Sequence, residues 1–176
     1  MMGYAAPPVL TEEARPWMAS PASMAVKLAG SYWKRARHLD LIDEKISQVA
    51  ERPLRLIVTM PPRHGKSELI SHYTPVWFVE RFPDKRVILA SYEATFAATW
   101  GRKARNTIDG NQSSLTVRVA GDSSAADDWN IAGHRGGMKT AGVGGPITGR
   151  GADLLIIDDP VKNAEEANSA TYRERL

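Results

Sequence analysis

Residues 54–70 read LRLIVTMPPRHGKSELI, and they carry the strongest indication of the fold class. Its apolar first part, residues 54–60, predicts a buried strand, and the residues after the tight turn predict a helix. A loop that opens a helix presents backbone N–H groups and the positive end of the helix dipole to phosphate oxygens. Within the loop, Gly65 permits close approach of the backbone, Lys66 can reach terminal phosphates, and the Ser67 hydroxyl can bind Mg²⁺. The arrangement predicts a phosphate-binding loop.

The loop departs from the usual phosphate-loop pattern at its start. Met60 occupies the first glycine position, and Pro61 and Pro62 lie inside the loop. Gly-Lys-Ser alone is a common tripeptide, so a chance match at a strand-to-helix turn is the alternative interpretation. The flanking strand and helix favour nucleotide binding over that alternative.

A second signal lies far downstream, where residues 154–159 read LLIIDD. The apolar run predicts a strand covered on both faces, and in parallel sheets the ligand crevice lies at the carboxyl ends of the strands. There Asp158 can hold Mg²⁺ opposite Ser67, and Asp159 can orient an attacking water. An acidic turn before Pro160 is the alternative, but the upstream loop favours the functional interpretation.

Phosphoryl transfer needs a further positive charge, and arginines are the usual source. Arg63 lies in the loop itself, and Arg150 lies in the Gly-rich stretch GVGGPITGRG, residues 142–151. Arg102 and Arg105 belong to a predicted helix, where basic side chains more often form a solvated face. Arg63 and Arg150 are therefore the candidates for phosphate contact.

The other predicted elements complete an α/β domain with a mostly parallel central sheet flanked by helices. They are a helix around residues 39–49, strands at 86–91 and 115–119, a helix over 93–108, a hairpin of 129–131 with 138–143, and a polar helical tail from 165 to 176. Residues 1–30 are assigned to a mobile N-terminal arm and residues 31–176 to the domain.

The composition of the 176 residues excludes several classes of protein. A hydrophobic share of 43% suits one globular domain, and the absence of Cys excludes disulfides and thiolate metal sites. The net charge of +3 fits contact with polyanions, although a solvated surface is the alternative. No apolar run has membrane-spanning length and no signal peptide precedes the domain, so we expect no membrane partner.

Three stretches together resemble the large subunit of tailed-bacteriophage terminases, the motor that packages DNA into a procapsid. They are MPPRHGKSE at residues 60–68, GVGGPITGRG at 142–151 and ADLLIIDDP at 152–160. Terminases have a deviant phosphate loop that carries an arginine, which accounts for the missing first glycine. The resemblance extends from about residue 33 to the end of the chain.

The resemblance implies a P-loop ATPase of the additional-strand class, which uses ATP and Mg²⁺. The residues that it implies at the nucleotide are Pro62, Arg63, His64, Gly65, Lys66, Ser67 and Glu68. It also implies Ser67 and Asp158 as metal ligands, Asp159 as the catalytic carboxylate, and Arg63 and Arg150 as catalytic arginines.

Many relatives have Glu at the position of Asp159, so Glu165 or Glu166 is the alternative water activator. By the same resemblance Trp33, Arg37 and His38 are adenine-contact candidates, with ordinary helix packing as the alternative.

The partners implied by the resemblance are double-stranded DNA, the terminase small subunit, the portal protein of the procapsid and further copies of the chain during packaging. The implied location is the host cell cytoplasm. In this family the ATPase domain continues with further strands after the acidic strand, and a nuclease domain follows. We therefore expect this chain to be the N-terminal part of a large terminase, a partial ATPase domain without the nuclease.

Two other classes of protein share these features. The first is another P-loop enzyme, such as a helicase-like ATPase or a small-molecule kinase, but the sequence offers no second ATPase-like domain, lid or acceptor pocket. The second is a non-catalytic nucleotide- or DNA-binding fragment, which would bind nucleotide without turnover.

Overall fold

Helices pack against a five-stranded sheet in the computed structural model, which describes residues 15–145 and 151–173. The strands are β1 (Arg86–Ser91), β2 (Val119–Ser124), β3 (Asp128–Ile131), β4 (Gly137–Gly142) and β5 (Leu154–Ile157). The helices are α1 (Pro21–Ala29), α2 (Arg37–Ser47), α3 (Thr74–Arg81), α4 (Ala94–Gly110), α5 (Ala164–Asn168) and α6 (Ala170–Arg173). A π-helical turn, Glu68–Tyr73, leads directly into α3.

The sheet is mixed, with strand order β2-β3-β4-β1-β5, so the prediction of a mostly parallel sheet is wrong. β1 pairs in parallel with β4 and β5, whereas β2, β3 and β4 pair antiparallel. Short connections join β2 to β3 and β3 to β4, and such connections suit antiparallel neighbours. The predicted hairpin is confirmed, because Trp129 lies opposite Met138 in the β3–β4 pair.

The core surrounds β1, whose residues from Val87 to Ser91 are all buried. The predicted strand at 86–91 is confirmed, and the helix predicted over 93–108 forms as α4. α4 approaches the sheet through small buried residues, including Ala97 and Ala104. Trp77 of α3 and Trp129 of β3 are fully buried in the same core.

The predicted strand at residues 54–60 is wrong, since this segment forms no strand ladder with any described residue. A cavity of about 160 Å³ separates it from β5, and both segments line that cavity. Ile57 is 91% exposed and Ile157 on β5 is 59% exposed. The apolar run therefore has the composition of a buried strand, but no neighbouring strand covers it in the described structure.

The strand predicted at residues 115–119 is also wrong, because β2 begins only at Val119. Leu115 and Val117 are buried, as an apolar run should be. The amides of Thr116 and Val117 instead donate to the buried carboxylate of Glu80 on α3, at 2.9 and 3.0 Å. A side chain thus satisfies backbone groups that a strand partner would otherwise satisfy.

Part of the segment assigned to the N-terminal arm packs into the domain. Ser20 caps α1 by accepting a hydrogen bond from the Ser23 amide, and Met24 of α1 is fully buried. The buried carboxylate of Asp43 on α2 accepts from the Ala22 amide at 2.8 Å. The division of the chain at residue 30 remains a prediction, and residues 1–14 lie outside the described residues.

The helix predicted around residues 39–49 forms as α2 followed by a short 3₁₀ turn. The polar tail is helical in α5 and α6, and residues 174–176 lie outside the described residues. Within the described ranges, no helix is both long enough and apolar enough to cross a bilayer.

Candidate functional site

A cleft of about 390 Å³ lies between the loop at residues 60–68 and Asp159, with Trp100 of α4 on its wall. Ligand pockets for small molecules usually measure roughly 300–1,000 Å³. The cleft therefore has room for a small ligand beside the Gly-Lys-Ser sequence.

The loop turns into its helix at Gly65, whose φ of +85° is in the left-handed region. A Cβ on this residue would lie 3.1 Å from Leu39 Cδ1, so both the conformation and the space favour glycine. The helical backbone begins at Lys66, and the Leu69 amide donates to the Gly65 carbonyl at 3.0 Å. Glycine here allows the backbone to turn tightly in front of the helix N-terminus.

Two histidine side chains form hydrogen bonds with backbone carbonyls of the loop. Nδ1 of His64 donates to the Pro62 carbonyl at 2.8 Å, and Nε2 of His38 on α2 donates to the His64 carbonyl at 3.0 Å. Because a carbonyl oxygen can only accept, each of these ring nitrogens carries a proton. Arg63, which lies between Pro62 and His64 in the loop, is exposed and has a φ of +64°.

The acidic pair follows β5 directly. The Asp158 amide donates to the Ala90 carbonyl at 2.9 Å, which extends the β5–β1 pairing by one residue, and the side chain is 4% exposed. Asp159 is exposed and has a φ of +45°, and its backbone carbonyl accepts a hydrogen bond from the Tyr92 amide at 3.2 Å. One carboxylate is thus buried and the next one faces the cleft.

The fold brings the loop and the acidic pair together. Lys66 Nζ donates to Asp159 Oδ1 at 2.7 Å and lies 3.5 Å from Asp158 Oδ1. The Ser67 hydroxyl donates to Asp158 Oδ1 at 3.1 Å. Burial alone lowers the pKa of Lys66, but the hydrogen bond to Asp159 and the charges of both carboxylates raise it above its ordinary value. Lys66 therefore remains an ammonium at neutral pH.

The donor set at this point fits Mg²⁺. Ser67 and Asp158 place a hydroxyl and a carboxylate oxygen 3.1 Å apart, and both are hard oxygen donors. No group of three or more His, Asp or Glu side chains suited to a metal occurs among the residues described. A magnesium ion usually takes only one or two protein ligands and completes its shell with water and phosphate oxygens.

Glu68, the last predicted nucleotide contact, turns toward α4. Its carboxylate contacts His72 Nδ1 at 3.0 Å and forms an ion pair with Lys103. The hydrogen bond with His72 lowers the pKa of Glu68 to about 2, against the effect of burial, with a further contribution from Lys103. Its side chain thus ties the loop helix to α4.

Several other candidates lie away from the cleft. Arg105 donates to the Ser124 carbonyl at 2.6 Å, and Arg102 is exposed on the same helix, α4. Asn163 caps α5 by accepting from the Glu166 amide at 2.9 Å, and the Glu166 carboxylate in turn accepts from the Lys162 amide at 3.0 Å. Trp33 packs edge-on against Tyr73 with ring centroids 5.5 Å apart.

Arg37 and Glu165 are also exposed candidates. Arg150 lies outside the described residues. Arg37 begins α2 and is exposed, and Glu165 is exposed in the first turn of α5.

Sequence reasoning missed Ser71. Its buried hydroxyl donates to Asp158 Oδ2 at 2.9 Å, so it contacts the same carboxylate as Ser67. The available signal was spacing, since residues four apart share one side of a helix. Trp100 was also missed, and no sequence pattern links that residue to the loop.

One known protein family matches the chain. The family model described as "Terminase large subunit, T4likevirus-type, N-terminal" matches residues 57–174. No curated protein and no solved structure matches the chain. The matched range contains the Gly-Lys-Ser loop and the acidic pair, and it covers most of the chain. The chain therefore belongs to the T4likevirus-type terminase large subunit family, whose N-terminal region it matches.

Proposed function

We propose that this chain binds ATP with Mg²⁺ in the cleft and hydrolyses the ATP as the motor domain of a phage terminase. Membership of the terminase family supports a role in packaging viral DNA. The proposed work of the motor is translocation of double-stranded DNA into the procapsid. The proposed fold class is a P-loop NTPase of the additional-strand class, with the mixed sheet described above.

One observation carries this proposal: Lys66, Ser67, Asp158 and Asp159 meet in space although the two pairs are far apart in sequence. Three side-chain contacts join the two pairs, at 2.7, 3.1 and 3.5 Å. A cation, a hydroxyl and two carboxylates beside a helix N-terminus are the groups that phosphoryl transfer requires.

Each residue has a role that follows from its position. The Lys66 ammonium, at the first turn of the helix, would bind the β- and γ-phosphate oxygens, and the loop amides would add hydrogen bonds. Ser67 and Asp158 would hold Mg²⁺, which neutralises charge on phosphate oxygens when bound. Arg63, exposed on the loop, would supply further positive charge. Catalysis would then come from positioning and charge stabilisation.

Asp159 is the better candidate to orient the attacking water. Its carboxylate lines the cleft and is within hydrogen-bond distance of Lys66. The Glu166 carboxylate accepts from the Lys162 amide at the start of α5, and neither Glu165 nor Glu166 is among the residues that line the cleft.

The proposed partners follow from the family. They are double-stranded DNA, the terminase small subunit, the portal protein and further copies of this chain, which could donate an arginine to a neighbouring site. The proposed location is the host cytoplasm.

A second candidate function is nucleotide binding without turnover. The observation that favours it is the position of residues 54–60, which lie outside the sheet and so do not anchor the loop to a strand. Binding of ATP by the wild-type chain with no release of phosphate, with or without double-stranded DNA, would support this second candidate. Phosphate release above the level of a Lys66→Ala control would exclude it.

The proposed function predicts that Lys66→Ala weakens ATP binding by about 10- to 100-fold, because the phosphates lose a charge-assisted donor. The measurement is calorimetric titration of ATP in the presence of Mg²⁺. Lys85→Ala is the matched control, since Lys85 is also paired with an aspartate, Asp153 at 4.0 Å, but does not line the cleft. Equal affinity of wild type and Lys66→Ala, with both proteins folded, would refute the site.

A further inference from the structure

The two carboxylate oxygens of Asp158 accept hydrogen bonds from two serines of one continuous helix. Ser67 donates to Oδ1 at 3.1 Å, and Ser71 donates to Oδ2 at 2.9 Å. Ser71 is fully buried, and Asp158 is 4% exposed. Among the described residues, no second donor reaches Oδ2. The two carboxylate oxygens therefore have different partners, since Oδ1 accepts from Ser67 and lies 3.5 Å from Lys66 Nζ, whereas Oδ2 accepts from Ser71.

The backbone around Ser71 is unusual. Ser71 lies within the π-helical turn Glu68–Tyr73, and Thr74 Oγ1 donates back to the Leu69 carbonyl at 2.8 Å at its end. π-Helical turns are rare and occur frequently at functional sites. Ser67 directly precedes this turn and Ser71 lies within it, and both hydroxyls donate to the Asp158 carboxylate at the end of β5.

We infer that Ser71 is a positioning residue, whose hydroxyl fixes the Asp158 carboxylate so that Oδ1 is directed at the metal position beside Ser67. The inference rests on the proposed function, because it assigns Asp158 to Mg²⁺. Without the Ser71 bond, the carboxylate would be free to rotate about its last torsion, and Oδ2 would be buried without a donor. Partners that orient metal ligands are known to affect metal affinity strongly.

The test measures how strongly Mg²⁺ increases nucleotide affinity. A non-hydrolysable ATP analogue is titrated by calorimetry into each protein with Mg²⁺ and again with the metal chelated. The ratio of the two affinities reports the metal site alone. In Ser71→Ala we expect this ratio to fall by about tenfold, while the metal-free affinity stays within about twofold of wild type.

Two variants complete the design. Ser71→Thr retains the hydroxyl and should recover most of the ratio. Thr74→Val is the matched control, since it removes another buried hydroxyl of the same continuous helix, whose hydrogen bond within the described part of the chain goes to the Leu69 carbonyl and not to Asp158. It should leave the ratio unchanged.

The outcomes are distinct. If Ser71→Ala lowers both affinities equally, or leaves the ratio unchanged while wild type responds to Mg²⁺, Ser71 has only a structural role and the inference is overturned. If wild type binds no nucleotide, the proposed function is overturned and the inference falls with it. A fall of the ratio in Ser71→Ala, with recovery in Ser71→Thr, would support the inference.

Discussion

Two non-glycine residues in the described part of the chain have a positive φ, and both border the cleft. Arg63 has a φ of +64° and Asp159 a φ of +45°. Such a conformation costs a residue with a Cβ on the order of 1–3 kcal/mol, and it is commonly found at functional sites. Asp tolerates the left-handed region better than most residues, which suits its place after β5.

At the residue scale, Asp159→Asn should abolish ATP hydrolysis, because the amide cannot accept a proton from water. Asn adopts the left-handed region as readily as Asp, so the backbone should be unchanged. The expected result is a loss of phosphate release of about 100-fold or more, with ATP affinity within about threefold of wild type. The measurements are a phosphate-release assay and calorimetric ATP titration.

Retained turnover in this variant would move the water-orienting role to another carboxylate. Asp159→Gly is a useful companion, since glycine relieves any strain at this φ and also removes the carboxylate. Both variants should therefore be inactive, although the glycine variant should be at least as stable as the Asn variant.

At the scale of elements, the π-helical turn is joined to α4 by two contacts. Glu68 pairs with Lys103, and His72 Nε2 lies 2.7 Å from the Thr107 hydroxyl. His72 also contacts Glu68 within the turn. This polar connection links the helix of the phosphate-binding loop to the helix that carries Trp100.

The pKa of Glu68, lowered to about 2 chiefly by His72, predicts a pH dependence of stability. A carboxylate with a lowered pKa stabilises the fold above its unfolded pKa, and this contribution is lost as pH falls through the folded value. Glu68→Gln should therefore have a lower free energy of unfolding than wild type at pH 7. This difference in stability should disappear as the pH falls from about 4.5 to about 2. Because Glu68 is 39% exposed, the difference at pH 7 should be below about 1 kcal/mol.

Urea denaturation at several pH values measures this difference. A Glu68→Gln/Lys103→Met double variant supplies the control, because two residues in contact should show non-additive effects. A constant difference between Glu68→Gln and wild type from pH 7 to pH 3 would contradict the prediction.

At the scale of the whole molecule, the apolar residues divide between a packed core and an open edge. Leu89 on β1 is fully buried among the helices and the sheet. Leu56 and Ile57 of the 54–60 segment are exposed by 42% and 91%, and Leu155 on β5 is exposed by 56%. Stability should therefore depend on the β1 side of the sheet.

Leu89→Ala should lower the free energy of unfolding by about 2–5 kcal/mol, because it removes a buried side chain and leaves a cavity. Ile57→Thr should change it by no more than about 0.5 kcal/mol, because this side chain is mostly in water. Chemical denaturation of the two variants beside wild type measures both values. A loss above about 2 kcal/mol in Ile57→Thr would mean that residues 54–60 are buried in solution.

The local features of the chain could be predicted from its amino-acid sequence. The Gly-Lys-Ser loop, the apolar runs at 86–91 and 154–157, the long helix now seen as α4, and the antiparallel hairpin were all readable from it. These features depend on residues close together in the chain, such as a glycine that permits a turn or apolar side chains at a regular period. The family was also recognisable, because its motifs are short and contiguous.

Which segments contact each other depends on long-range packing and became visible in the folded chain. An apolar run at 54–60 and one at 154–157 have the same local pattern, yet only the second pairs with β1, since pairing depends on which edge is available. The amides near Thr116 bond to Glu80 instead of a strand, which no local pattern could indicate. The contact of Ser71 with Asp158 likewise depends on how a helix packs against a distant strand. Long-range contacts of this kind follow from the packing of the whole chain, so local propensity does not reveal them.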